Sequence, residues 1–272
     1  MIQEIHITAL DLPALEPFRT LRQTEEHRRT GIFVAEGEKV VRRLLESRHT
    51  IQSILTTPEW LEVYRAPIAG RTESIKIFVS KKELLEEIVG FNLHQGIMAV
   101  GEIPSEPSLD ALLRSAASPK LLVAVDGLTN SENLGVLVRS CVAFGVHGLI
   151  VGETSSSPYL RRAVRNSMGT VFKLSVLHSA NLVKTLEQLR SDFQLSVVGA
   201  HPHEDRRTIG ETDFTRDCCL VVGSEGEGIS ERVRGVCSHL AAIPMHAGVD
   251  SLNVATAGAV FLYEVQRQRR SS

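Results

Sequence analysis

Three polar, glycine-containing segments, at residues 126–139, 223–228 and 243–253, hold the side chains that could do chemistry. Each follows an apolar run that is typical of a buried strand and leads towards a run that is typical of a helix. None matches the GxGxxG dinucleotide fingerprint or the GxxxxGK(S/T) phosphate-binding loop. Because ligands of open α/β sheets bind beyond the carboxyl ends of the strands, we expect the three segments to form one site.

Each segment also has an ordinary structural interpretation. Residues 223–228 could be only a turn, and Asn133 and Ser251 could be only helix N-caps. Arg139, in an otherwise apolar helix, could extend to solvent. A shared site is favoured because all three polar sets stand at strand-to-helix junctions of one predicted sheet.

The elements that must position these residues alternate between strand and helix. Continuous apolar strands between helices indicate a mostly parallel sheet covered on both faces, so the predicted fold class is α/β. The last helix is predicted at about residues 252–266. The predicted strands are 121–125, 148–151, 171–176, 195–198, 219–222 and 240–243.

The first hundred residues predict a smaller α/β domain. Its strands are expected at 33–35, 51–55, 77–79 and 97–100, and Ser80 with Glu83 predicts a capping box for one helix. Residues 103–120 are polar and punctuated by proline, although residues 109–113 could form a short helical turn within them. The predicted organisation is therefore an N-terminal domain at 1–104, a linker at 105–119 and a second domain at 120–272.

Composition excludes several classes of protein. The formal net charge is -2, so nucleic acid could bind only through local basic patches. The four cysteines show neither a CxxC pair nor histidine partners at metal spacing, so no disulfide framework and no metal site are predicted. No apolar run reaches membrane-span length, and Glu4, His6 and Asp11 interrupt a secretory signal. We expect a cytoplasmic protein.

The three segments resemble, in order and spacing, the three motifs of the SpoU class of SPOUT RNA methyltransferases. Asn130-Ser131 replaces the Asp-Pro that many members have. The likeness is carried by Asn133-x-Gly135-x-x-x-Arg139, Gly223-Ser-Glu225-Gly-x-Gly228, Ile243-Pro-Met245 and Ser251-Leu-Asn253. Arg165-x-Ser167-x-Gly169 resembles another segment of that family.

The N-terminal half is similar, less specifically, to the RNA substrate-binding domain that often precedes this catalytic domain and is related in fold to ribosomal proteins. Arg28-Arg29, Phe33-Val-Ala-Glu36-Gly37 and Gln95-Gly96-Ile97 carry that likeness. Basic residues of this half could contact RNA phosphate, although a solvated face of mixed charge is the alternative interpretation. These residues are Arg22, Arg28, Arg29, Arg42, Arg43 and Arg48.

The resemblance implies a trefoil-knotted α/β sheet, a homodimer, S-adenosylmethionine as cofactor and methyl transfer to RNA rather than DNA. The implied cofactor-binding residues are Ala200, Gly223, Gly228, Ile243, Met245 and Leu252. The implied catalytic residues are Arg139, Asn133, Glu225, Ser251 and Asn253.

The acceptor that the resemblance implies is a ribose 2′-hydroxyl, a weak nucleophile that needs a base or a stabilised alkoxide. A guanidinium stays protonated, so Arg139 is expected to bind phosphate and stabilise alkoxide, while Glu225 could orient Arg139 or act as the base. Base methylation and a catalytically silent RNA-binding protein are the alternatives. The two-domain form favours ribosomal over transfer RNA.

Overall fold

The computed structural model describes residues 2–8, 12–21, 23–92, 95–202 and 207–271, so Arg22 lies outside the described residues. The chain forms two compact units. The first comprises Met1–Ser105 and Tyr159–Lys173, and the second comprises Glu106–Pro158 and Leu174–Ser272. Within the described residues, no helix combines the length and apolarity needed to cross a lipid bilayer.

Helices and strands alternate along most of the two units. They are β1 (Ile2–His6), α1 (Glu16–Arg19), α2 (Thr24–Arg29), β2 (Ile32–Glu36), α3 (Glu38–Leu45), β3 (Ile51–Thr56), α4 (Pro58–Ala69), β4 (Ile75–Val79), α5 (Lys82–Val89), β5 (Ile97–Glu102), α6 (Leu109–Ser115), β6 (Leu121–Val125), α7 (Ser131–Ala143), β7 (Gly148–Val151), α8 (Arg161–Asn166), β8 (Ser175–His178), α9 (Leu182–Ser191), β9 (Ser196–Ala200), β10 (Arg207–Thr208), β11 (Cys218–Val222), α10 (Glu231–Val236), β12 (His239–Ala242) and α11 (Val254–Arg270).

The first unit contains a five-stranded mixed sheet in the order β1-β4-β3-β5-β2. Strands β1, β4 and β3 run parallel, while β5 is antiparallel to both of its neighbours. Phe18, Leu85 and Val34 belong to the core on one face of this sheet. The predicted capping box is wrong, because α5 begins at Lys82 and Ser80 Oγ donates instead to the carbonyl of Ile7.

The second unit contains a seven-stranded sheet in the order β10-β12-β9-β11-β6-β7-β8, and every pairing in it is parallel. The side chains of β6 and β11 are buried on both faces, as their unbroken apolar sequences predict. The predicted α/β fold class is confirmed. The trefoil knot stays a prediction.

Helices cover both faces of this sheet. Alternate residues of β6, β9 and β11 pack with α6, α9 and α10, and α11 contacts β9 and β11 on the other side. Helix α7 runs parallel to α11, because contacts link Asn133 to Asn253, Leu137 to the Cα of Gly258, and the Phe144 carbonyl to Gln266 in the same order along both helices. The amino ends of α7 and α11 therefore lie side by side.

Three predicted elements differ from the structure. The predicted strand 171–176 is a 3-10 turn at Thr170–Lys173 followed by β8, because Val171 and Phe172 are buried in the first unit. Helix α11 begins at Val254 rather than near residue 252, because the Asn253 side chain caps it. Residues 105–119, the predicted linker, contain α6, whose apolar residues Leu112 and Leu113 are buried.

Candidate functional site

A cavity of about 450 Å³ lies within the second unit at the carboxyl ends of β9, β11 and β12. This volume is in the range of sites that enclose a small organic ligand. Its walls come from the end of β9 and from the second and third polar segments, whereas residues 126–139 of the first segment do not line it. The lining includes Ala200, Gly223, Glu225, Gly228, Ile243, Met245, Asp250, Ser251 and Leu252.

The loop after β11 folds back tightly on itself at one wall of the cavity. Ser224 and Gly228 exchange backbone hydrogen bonds of 2.9 and 3.1 Å, and Glu227 N–H donates to Ser224 Oγ at 3.2 Å. A Cβ on Gly223 would lie 1.9 Å from the carbonyl carbon of Gly228, so no larger residue fits there without moving the backbone. Gly228 itself has a φ of 69°, which favours glycine.

Asp126 attaches this loop to the neighbouring strand. Its carboxylate Oδ2 accepts a hydrogen bond of 2.7 Å from the backbone N–H of Ser230, and its own N–H donates to the carbonyl of Val222. The loop is therefore held at both ends, before Gly223 and after Ile229. Sequence reasoning quoted Asp126 within the first segment but assigned it no role, because its partner lies 104 residues away.

The third segment supplies mainly apolar contacts to the cavity. Ile243, Met245 and Leu252 line it, with Phe261 of α11 and the small residue Ala200 at the end of β9. Such walls, with polar groups in the glycine loop and at His201, Arg234, Asp250 and Ser251, suit a ligand with both apolar and charged parts.

Two asparagines join the first and third segments beside the cavity. Asn253 Nδ2 donates to Asn133 Oδ1 at 3.2 Å, while Asn253 Oδ1 caps α11 by accepting from Ala255 N–H and Thr256 N–H. Helix α7 is capped by Asn130 rather than by Asn133. The cap interpretation of Asn133 and Ser251 is therefore wrong, because Asn130 and Asn253 occupy the two N-cap positions.

Arg139 and Glu225 are not brought together. Both side chains are exposed, and within the described part of the chain neither makes a hydrogen bond or an ion pair. Arg139 lies on the outer face of α7 with Val136 and does not line the cavity, whereas Glu225 does. The geometry of this chain alone does not show Glu225 orienting Arg139.

The cysteines take no part in the site chemistry. All four are free thiols. Burial raises the pKa of Cys141 to about 12 and the pKa of Cys218 and Cys237 to about 11. These thiols stay protonated near neutral pH and are poor nucleophiles.

Models of two known protein families match separate parts of the chain. The model of the SpoU rRNA methylase family matches residues 120–263. The model of the MRM3-like substrate-binding domain matches residues 13–99.

A curated relative and two solved structures are similar over most of the chain. A Mycobacterium avium (strain 104) protein named uncharacterized tRNA/rRNA methyltransferase is 35% identical over 247 residues, which are 89% of this chain and 72% of that protein. The SpoU methyltransferase AviRb of Streptomyces viridochromogenes, crystallised with AdoMet, superimposes with a TM-score of 0.82 at 27% identity, covering 96% of this chain and 100% of AviRb. A structure described as an RNA 2′-O ribose methyltransferase gives a TM-score of 0.78 at 25% identity and covers 98% and 100% of the two chains.

Proposed function

Because the chain belongs to the SpoU rRNA methylase family and is an S-adenosylmethionine-dependent tRNA/rRNA methyltransferase, we propose that its acceptor is a ribose 2′-hydroxyl of ribosomal RNA. The observation that carries this proposal is the hydrogen bond between Asn133 and Asn253. It places the first and third segments together beside a cavity that suits the cofactor. The solved relative described as a 2′-O ribose methyltransferase supports the ribose as acceptor.

The lining of the cavity supports binding of the cofactor there. Its glycine loop is tightly packed on itself, because the backbone of Gly228 and Ile229 fills the space that a Cβ on Gly223 would need. We assign adenosine and methionine binding to the six residues named from the sequence, all of which line the cavity: Ala200, Gly223, Gly228, Ile243, Met245 and Leu252. When bound, S-adenosylmethionine supplies an electrophilic methyl group on a sulfonium.

In this proposal, Arg139 binds the phosphate beside the reacting ribose and stabilises negative charge as the 2′-oxygen loses its proton. A guanidinium with no partner in the described chain keeps all of its donors for that phosphate. The proton leaves to phosphate, to water or to Glu225, which has an exposed carboxylate at the edge of the cavity. Asn133, Ser251 and Asn253 position the ribose.

We propose that the protein acts as a homodimer. Helices α7 and α11 pack together and leave Val136 42% exposed and Tyr263 60% exposed on their outer faces, together with Arg139. A second copy covering the exposed side of the two helices would bury both Val136 and Tyr263. Light scattering at micromolar concentration should show a dimer, whereas a fully active monomer would contradict the proposal.

The N-terminal part, predicted as residues 1–104, is proposed to select the RNA. The match to a substrate-binding domain over residues 13–99 supports this assignment, and the cavity residues all follow residue 199. The two-part chain and the rRNA methylase family model favour ribosomal RNA over transfer RNA. The bacterial relatives support action in the cytoplasm.

Methylation with tritium-labelled cofactor tests the proposal. Ribosomal and transfer RNA from cells that lack the gene are incubated separately with the protein and then hydrolysed with alkali. A 2′-O-methyl group blocks cleavage of the adjacent phosphodiester, so label in alkali-resistant dinucleotides from ribosomal RNA is the expected result. Label in mononucleotides would indicate base methylation, and cofactor-independent RNA binding without any label would indicate a silent binding protein.

A further inference from the structure

Sequence segments that the catalytic proposal does not use come together in the first unit. Glu36 ends β2, and Gly37 follows with a φ of 91°. The N–H of Glu38 donates to Gln95 Oε1 at 2.8 Å, which ties this turn to the Gln95-Gly96 segment. The Arg165-x-Ser167-x-Gly169 segment packs against the same unit, since Arg43 Nη1 donates to the carbonyl of Met168 at 2.5 Å.

The Glu36 carboxylate lies at the centre of this arrangement and binds two arginines. Its Oε2 accepts from Arg161 Nη1 at 2.5 Å, and its Oε1 accepts from Arg165 Nη1 at 3.0 Å. The Glu36 side chain is only 10% exposed, so its charge is poorly screened by water. The three side chains together carry a net charge of +1.

The two arginines differ in surroundings. Arg161 is 19% exposed, lies over the ring of Phe91 with 5.2 Å between the guanidinium carbon and the ring centroid, and has its Nε buried without a hydrogen-bond partner in the described chain. Arg165 is 59% exposed, and Glu36 is the only hydrogen-bond partner of its side chain among the described residues. Arg161 therefore fixes the carboxylate inside the unit, and the carboxylate fixes Arg165 at the surface.

This arrangement suits a phosphate. The Glu36 carboxylate holds the Arg165 guanidinium by a hydrogen bond to Nη1, so its other donors remain available, and a guanidinium with restricted motion binds phosphate better than a mobile one. Helix α8 also contains three arginines and no acidic residue. Basic surfaces of this kind supply the salt-dependent contacts of RNA-binding proteins.

We propose that Arg165 binds a backbone phosphate of the RNA substrate and that Glu36 is a positioning residue for the Arg165 guanidinium. This inference rests on RNA being the substrate, but not on which atom of the RNA is methylated. Arg165 thus contacts the substrate directly, and the acidic residue Glu36 strengthens the binding of RNA, which is itself a polyanion.

The test measures the direction in which RNA affinity changes when Glu36 loses its charge. General electrostatics predicts that Glu36→Gln, which removes a negative charge, tightens RNA binding, whereas positioning predicts that it weakens binding. Fluorescence anisotropy with a fluorescein-labelled RNA stem–loop measures the Kd of the full-length protein over a range of salt concentrations. No methyl transfer is needed, so a wrong assignment of the methylated atom does not affect the result.

Both Arg165→Gln and Glu36→Gln should weaken RNA binding by about 5- to 20-fold. Arg165→Gln should also lower the salt dependence by about one phosphate contact. In the methylation assay both variants should raise KM for RNA with little change in kcat, and Glu36→Gln should have no further effect in the Arg165→Gln background. Cofactor affinity should not change.

Arg65 provides a matched control in the same unit, because it too is bound by two carboxylates, those of Glu4 and Glu62. Arg65→Gln and Glu62→Gln should not weaken RNA binding. A folded Glu36→Gln protein that binds RNA as tightly as wild type, or more tightly, would overturn the positioning role. If Glu36→Gln does not fold, Arg165→Gln and Arg165→Lys decide: wild-type affinity and salt dependence in Arg165→Gln would overturn the proposal, and incomplete rescue by lysine would support it.

Discussion

Replacing Gly223 with alanine should weaken cofactor binding through the loop rather than through direct contact with the ligand. The new Cβ would lie 1.9 Å from the Gly228 carbonyl carbon and 2.1 Å from the Ile229 nitrogen. Both are backbone atoms, so the loop itself must move by roughly 1 Å to relieve the overlap. That displacement breaks the pair of hydrogen bonds between Ser224 and Gly228.

The expected loss follows from those bonds. Two backbone hydrogen bonds contribute about 1 kcal/mol each. With the misplaced cavity wall added, we expect a loss of about 2 to 3 kcal/mol in cofactor binding, which is about a 30- to 150-fold rise in Kd. Isothermal titration calorimetry with S-adenosylmethionine measures this Kd, and circular dichroism confirms that the variant is folded.

Other glycines of the chain provide graded controls. A Cβ on Gly235, within α10, meets no atom within 4 Å, so Gly235→Ala should leave the Kd unchanged. Gly228→Ala also has free space, but its φ of 69° is unfavourable for alanine, so an intermediate effect is expected. If folded Gly223→Ala binds S-adenosylmethionine like wild type, the loop does not form the cofactor site and the reasoning is refuted.

Three further predictions follow from the structure. Arg139→Ala should lower the single-turnover rate of methyl transfer about 10²- to 10³-fold with little change in cofactor affinity, and Arg139→Lys should restore that rate only partly. A wild-type rate in the alanine variant would exclude Arg139 as the catalytic residue and leave Glu225 as the candidate. Burial lowers the pKa of His27 and His49 from the ordinary 6.5, so the folded state binds their protons less readily than the unfolded state. The free energy of unfolding, measured by urea titration, should therefore be retained above pH 6.5 and should decrease as the pH falls below 6.5. The decrease should be smaller in the double variant His27→Gln/His49→Gln. The fragment 106–272 should bind a hydrophobic dye and melt below the full chain, because Val164 and Phe172 pack in the first unit; equal melting temperatures would contradict this.

The sequence by itself predicted the α/β type of the second unit and two of the segments that line its cavity. Unbroken apolar runs such as Leu121–Val125 are buried on both faces of a parallel sheet. Glycine, asparagine and acidic residues at the ends of such runs are local signals of a turn or a site. For that reason the two cavity segments, 223–228 and 243–253, could be named in advance, and the cavity is lined by residues from both.

Features that depend on partners distant in the sequence could not be predicted from the sequence. A capping box at Ser80 is a valid local pattern, yet Ser80 bonds to Ile7 across the sheet. The role of Asp126 in holding the glycine loop depends on its hydrogen bond with the backbone of Ser230, which only the folded structure shows. Residues 171–176 have the apolar character of a strand, but Val171 and Phe172 are buried by the first unit, and the strand starts only at Ser175.

The same distinction applies to the charged residues. A count of acidic and basic residues in the N-terminal half suggests a solvated face of mixed charge, and for Arg65 with Glu62 that description holds. Glu36 looks identical to Glu62 in such a count. Only the tertiary structure buries the Glu36 carboxylate between Arg161 and Arg165, from a segment more than a hundred residues away. Local periodicity and turn formation depend on neighbouring residues, whereas burial and ion pairing depend on which distant segments the fold brings into contact.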